Sequence, residues 1–168
     1  MPERKTLERA EQDKREGKAP TTQAGEFVRE EIEHIREGKH GARSTKQAVA
    51  IGLSKARRAG VKLPPPKKGT VSEKTRRGAE LAEAAGQRGK KSVSPTRSRA
   101  IVGALKREGR AAASKSALAK QARTAARKRS ATERSAAAQK AVRTKGPAER
   151  SAAAKKGART RARKRTGV

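Results

Sequence analysis

The residues with the plainest chemistry in this chain are its cations. Lys and Arg number 46 against 16 Asp and Glu, giving a formal charge of +30 over 168 residues. Arg (25) contributes planar guanidinium forks and Lys (21) contributes point charges, and both bind phosphate oxygens through charge-assisted hydrogen bonds. Their placement is uneven. Residues 1–37 hold 8 cations against 10 carboxylates, whereas residues 38–168 hold 38 against 6. The candidate phosphate-binding set is Arg57, Arg58, Lys67, Lys68, Arg123, Arg127, Lys128, Arg129, Lys140, Arg143, Lys145, Lys155, Lys156, Arg159, Arg161, Arg163, Lys164 and Arg165. Duplex DNA, with one charge per ~1.7 Å of axis and a condensed counterion layer to release, is the strongest partner for such a surface.

Other chemistries find no support in the residue types. His34 and His40 are the only histidines, and there is no Cys. Without a thiolate or a convergent carboxylate pair, the two histidines read as surface residues and not as metal ligands. Neither GxxxxGK[ST] nor GxGxxG occurs in a strand-turn-helix setting, so no nucleotide cofactor is expected. The expectation is a non-enzyme with no cofactor and no metal. One Phe and no Tyr or Trp leave almost no platform for stacking single-stranded bases, which favours duplex backbone over single strands.

The elements that must carry these cations are short helices. Leu, Ile, Val and Phe number 6, 4, 8 and 1, a supply of large apolar residues below the level at which strongly charged chains usually fold. Ala, at 33, supplies helix propensity without much area to bury. The predicted fold is all-α: a small helical hairpin followed by short Ala-rich helices in a largely disordered or induced-helical basic tail. No stretch approaches the ~18 apolar residues of a membrane span, and the N-terminus has no apolar signal core. A soluble, cytoplasmic, nucleoid-bound protein that does not enter membranes is expected.

Five segments follow. Residues 1–21 form a charged N-terminal stretch. Residues 22–63 form the hairpin: Val28, Ile32 and Ile35 recur at helical spacing up to Gly38, and Ser44 with Gln47 opens a second helix through Val49, Leu53 and Ala56 that stops at Gly60. Val61 and Leu63 are placed across the open end of the hairpin, and Pro64–Pro66 stiffen a linker over 64–69. So small a hairpin suggests pairing with a second copy. Its connection is too long for a helix-turn-helix reader. Residues 70–128 form an Ala-rich basic region, with Thr70 and Glu73 as one predicted cap pair and Ser94-Pro95 as another start.

Residues 129–168 hold two 16-residue repeats, RSATERSAAAQKAVRT (129–144) and KGPAERSAAAKKGART (145–160), then the run RTRARKRTGV. Each repeat opens with helix-start grammar: Ser130 or Gly146 at the cap, Ala131 or Pro147 next, Glu133 or Glu149 at the third position. Ala fills one side of each helix and cations the other, so the repeats read as phosphate-binding helices and not as stacking modules. The end run reads as a disordered clamp on phosphates. The glutamates Glu26, Glu30, Glu31, Glu33 and Glu37, all on one predicted helix, have two readings: an electrostatic brake on the tail, or carboxylates that solubilise the exposed face of an amphipathic helix.

The run TKQAVAIGLSKARRAGVKLPPPKKG resembles a block, covering roughly residues 26–69, from a family of small basic bacterial proteins of uncharacterised function. SPTRSRAIVGALKREGRAAASKSALAKQARTAARKR is similar to that family's Ala/Lys/Arg-rich, histone-like C-terminal half. The resemblance implies DNA binding of low sequence specificity and assigns no site. The expected function is accordingly a nucleoid-associated or histone-like protein that neutralises and compacts duplex DNA. The alternatives are an RNA-binding or ribosome-associated protein, and a partner-docking interaction protein with a polyanion-binding tail; RNA and polyphosphate are the alternative partners.

Overall fold

The computed structural model describes residues 2–88, 94–144 and 146–165, and among these every regular element is helical. The chain divides into two compact units, Met1–Gln121 and Ala122–Val168.

The first unit is built around the predicted hairpin. Helix α2 (Pro20–Glu37) starts with Pro at its first turn, where a missing N–H costs nothing, and ends at Gly38. Gly38 takes φ 79°, which lets the Lys39 N–H reach back to the His34 carbonyl at 3.0 Å and turns the chain out of the helix. Helix α3 (Thr45–Arg58) is capped by Ser44, whose hydroxyl accepts from the Gln47 N–H at 3.2 Å. The Gln47 side chain accepts from the Arg43 N–H at 2.9 Å instead of closing back on Ser44.

The hairpin does not stand alone. Helix α1 (Arg4–Arg15) lies in the stretch expected to be merely charged, and it packs Thr6 and Ala10 against α2. Helix α4 (Glu73–Gln87) packs Ala79 and Ala82 against α3. A 3₁₀ turn, Ala111–Ala113, docks on both hairpin helices: Thr45 Oγ1 donates to the Ala112 carbonyl at 2.7 Å and Arg36 Nε to the Ala113 carbonyl at 2.9 Å. The hairpin loop is fastened by the same stretch, since the Gly41 N–H donates to Leu105 O at 2.8 Å and the Ala42 N–H to Gly109 O at 3.1 Å. The apolar faces that suggested a second copy are thus covered from within the chain.

Two buried clusters result. One gathers Ala10, Ala24, Phe27, Ala56, Val61 and Leu63, so Val61 and Leu63 do close the open end of the hairpin. The other gathers Ile32, Ile35, Ala42, Ala48, Ala112 and Ala113. Among the described residues nine of the fourteen buried apolar ones are Ala, so the helices must approach closely to fill space. Gly52 permits this at the α2–α3 crossing, where a Cβ would lie 2.7 Å from Val28 Cα.

Two predicted caps are corrected. Ser72, not Thr70, caps α4, accepting from the Thr75 N–H at 3.3 Å; Thr70 donates its hydroxyl to Lys67 O at 2.6 Å within the linker. Helix α5 (Pro95–Lys106) does begin at Pro95, but the Ser94 side chain makes no capping bond and the helix buries no residue. Helix α6 (Lys115–Arg127) carries the chain across the division between the units.

The second unit contains α7 (Ala131–Thr144) and α8 (Pro147–Arg165). The expectation of a largely disordered tail is corrected: the described residues are helical through Arg165, including most of the Arg-rich end run. Ala-rich sequence with well-formed starts supplies backbone order where no apolar core exists.

Candidate nucleic-acid interface

The repeat grammar builds the second unit as read. Ser130 Oγ accepts from the Glu133 N–H at 3.1 Å while Glu133 Oε2 accepts from the Ser130 N–H at 2.8 Å, a reciprocal box that satisfies two orphan donors of α7. In the second copy Pro147 opens α8, and Gly146 O accepts from the Arg150 N–H at 3.1 Å. Every described side chain of residues 131–143 is exposed, and in α8 only Gly157 is half-buried. Val142, the largest apolar residue of α7, is 48% exposed. These helices have no packed face.

Helical spacing brings several candidate cations into rows. Arg123 and Arg127 stand one turn apart on α6, Lys140 and Arg143 do so on α7, and Lys155, Arg159 and Arg163 line one side of α8 at i, i+4 and i+8. Lys156 flanks that row, Arg161 and Arg165 occupy the other side of α8, and Lys128 and Arg129 lie exposed between α6 and α7. Lys145 and the side chain of Lys164 fall outside the described residues. Residues 122–168 carry 16 Lys and Arg against two Glu. Eight of the 16 belong to the sequence of α8, whose 19 residues span ~28 Å, which makes this helix a dense cationic rod.

The candidates of the first unit behave differently. Arg58, Lys67 and Lys68 are exposed at the end of α3 and in the linker. Arg57 is corrected: it is buried, and its guanidinium donates to the carbonyls of Leu63 at 3.0 Å and Pro64 at 3.1 Å, pinning the start of the proline run to α3. Burial pushes its pKa down, with the Glu83 carboxylate acting the other way. Its donors are spent on the fold and not on phosphate.

The glutamates of α2 do not form an exposed acidic face either. Glu30 and Glu31 are buried at 3% and 1% exposure, and the Lys55 ammonium sits 3.4 Å from Glu30 Oε1 and 2.6 Å from Glu31 Oε2. Glu26 pairs with Arg9 and Arg29, and Glu37 with Lys39. Glu33 and Glu37 stay exposed, so of the five carboxylates Glu30 and Glu31 are committed to the first unit's own packing and the brake rests on fewer charges than the sequence suggested.

Sequence reasoning also misplaced the histidines. His34 and His40 are each only 13% exposed at the side chain, and they stand with Glu31 in one cluster. His34 Nε2 lies 2.8 Å from Glu3 Oε1, His40 Nε2 lies 3.1 Å from Glu31 Oε1, and the two rings meet edge to face at 6.1 Å. The His34 hydrogen bond, followed by Lys39, holds the Glu3 carboxyl down at about 2. The readable signal was Glu31 and His34 at i, i+3 on one helix face, with His40 just beyond the glycine that ends the helix.

No helix among the described residues is long and apolar enough to cross a membrane. No curated protein and no solved structure matches the chain. Residues 13–68 match a Family of unknown function (DUF6496), a segment that spans α2, α3 and nearly all of the proline linker and stops before α4.

Proposed function

We propose that the protein is a low-specificity, nucleoid-associated DNA-binding protein that neutralises and compacts duplex DNA through phosphate contacts from its basic helices. The observation that carries this reading is the pair α7 and α8: helices well started and densely cationic, with no face committed to packing. An ordered cationic rod binds phosphate at less entropic cost than a disordered one, because its backbone is already fixed. Phe27, the single aromatic carbocycle, is fully buried, which leaves no stacking platform for unpaired bases and favours a duplex backbone.

Salt titration of duplex binding tests the reading. The repeats over 129–160 hold nine Lys and Arg. With about half of them on phosphate, their deletion lowers the log-log salt slope by roughly 4, with little change among unrelated duplexes. An unchanged slope, a strong preference for one sequence, or tighter binding to structured RNA than to DNA at equal salt overturns it.

A further inference from the structure

The charge balance inside the first unit is incomplete. Two carboxylates, Glu30 and Glu31, are buried together, and a single ammonium, Lys55, stands between them. Glu3 is already matched by Lys39 at 3.1 Å. Burying an uncompensated charge is expensive, so a further positive charge belongs beside this pair. Glu31 Oε2 lies 2.6 Å from Lys55 Nζ as an ion pair without an aligned hydrogen bond, so Lys55 serves that oxygen while Oε1 faces His40 at 3.1 Å.

The histidines show what kind of charge fits. His40 Nδ1 lies 3.1 Å from the Gly41 carbonyl and Nε2 lies 3.1 Å from Glu31 Oε1, so both ring nitrogens face oxygen acceptors. A neutral imidazole has one N–H and serves only one of them. With Nδ1–H donated to Gly41 O, the Nε2 lone pair points at a carboxylate, a repulsion that a cation between the two removes. His34 is held in a parallel way: Nε2 bonds Glu3 at 2.8 Å, leaving Nδ1, 4.0 Å from Glu30 Oε1, turned towards the buried carboxylates. An imidazole fixed by a carboxylate or backbone carbonyl at one nitrogen and open at the other is the usual arrangement of a metal-bound histidine.

We propose that Glu31, His34 and His40 form a Zn2+ site that ties the end of α2 to the α2–α3 loop. Their ligand atoms already lie within 4.8 Å of one another. Ligand atoms around tetrahedral zinc stand about 3.4 Å apart, given bonds of 2.0–2.2 Å, so binding draws the loop inward by about an ångström. Two imidazoles with one carboxylate suit zinc over Ca2+ or Mg2+, which take oxygen ligands. Glu3 and the Gly41 carbonyl orient the histidines, while Lys55 neutralises the carboxylate oxygen that faces away from the ion. Of the three ligands, His40 also borders a solvent-connected cavity of about 410 Å³ lined by Lys106 and Arg110 among others.

The test is equilibrium dialysis and calorimetric titration of the full chain with Zn2+ alone, with circular dichroism to confirm that each variant is folded. One saturable equivalent per chain is expected. His40→Ala, on the loop, removes a ligand and lowers affinity at least ~100-fold; Glu3→Gln, which only orients His34, lowers it about 10-fold. Addition of Zn2+ shifts the His34 and His40 side-chain nitrogen resonances and no others. Absence of a saturable equivalent in the parent overturns the site, as does affinity that His40→Ala leaves unchanged in a folded chain. Histidine resonances showing doubly protonated rings that ignore Zn2+ overturn it too, because a proton then supplies the missing charge. None of these readouts involves nucleic acid, so the outcome is separate from that of the DNA-binding reading.

Discussion

Helices α2 and α8 are written to nearly the same specification and meet different fates. Each begins with Pro at its first turn, and they run 18 and 19 residues. Helix α2 buries seven residues, among them Phe27, Ile32 and Ile35, while no described side chain of α8 is buried. Propensity and end signals are therefore enough to fix a helical backbone in this chain, and the few large apolar residues decide only whether that backbone packs. Where they are present, cations and carboxylates are drawn into the fold, as with Arg57, Glu30 and Glu31. Where they are absent, the described cations remain exposed.

The strongest way to break this contrast is to remove the anchor of α2. Phe27 is fully buried against Ala10, Ala24, Ala56, Val61 and Leu63. Phe27→Ala is expected to destabilise the first unit by about 3–5 kcal/mol, read as a lower midpoint in thermal or urea unfolding followed by circular dichroism. The helical signal of residues 122–168 should persist through that transition. Loss of both signals together would mean that the two units share one cooperative core.

A pair of glycine substitutions sharpens the comparison with a smaller effect of opposite sign. Ala is a better helix former than Gly by about 1 kcal/mol in both positions. At Gly52 the added Cβ meets Val28 Cα at 2.7 Å, so backbone must move and Gly52→Ala should destabilise by about 1–2 kcal/mol net. At Gly157 the nearest atom is the Arg161 guanidinium at 3.8 Å, and Gly157→Ala should simply raise helicity. Equal gains at both positions would show that α2 and α3 do not approach this closely at Gly52.

Much of this architecture was legible in the sequence, for reasons that also explain what was not. The hairpin, its glycine stop, the closing role of Val61 and Leu63, and the repeat starts at Ser130 and Pro147 are local signals, each carried by residues within a few positions of one another. Helix α1 escaped because its packed face is Thr6 and Ala10, while its one large apolar residue, Leu7, is 40% exposed. The docking of residues 105–113 on the hairpin loop escaped because it rests on backbone hydrogen bonds and Ala side chains, which leave no hydrophobic pattern. Charge misled at the site. Counting Arg57 among the phosphate ligands, and the α2 glutamates as a brake, treated every ionisable residue as surface. Burial depends on which helix face is covered, and the groups that enclose these residues come from outside their helices: Glu3 and Lys55 beside Glu30, His40 and Lys55 beside Glu31, Leu63 and Pro64 over Arg57.

The mildest test addresses the second unit directly. Val142 is its largest apolar residue in the described helices, and truncating it repeats Phe27→Ala on a helix whose described side chains are all exposed. It is 48% exposed, so truncating it removes little area from contact with anything. Ala is also the better helix former, so the backbone gains slightly what the side chain loses. Val142→Ala is therefore expected to leave the unfolding midpoint of the first unit unchanged and to alter helicity of the second by an amount worth less than about 0.5 kcal/mol, in the helix-gaining direction. Measured helicity at several temperatures, with and without duplex DNA, decides it. A loss above ~1 kcal/mol in the free protein would mean that Val142 is buried against a surface within the chain, and that part of the cationic rod is already occupied. A loss seen only in the complex would place Val142 at the bound face, with the cations Lys140 and Arg143 turned away from the phosphates that they are proposed to meet.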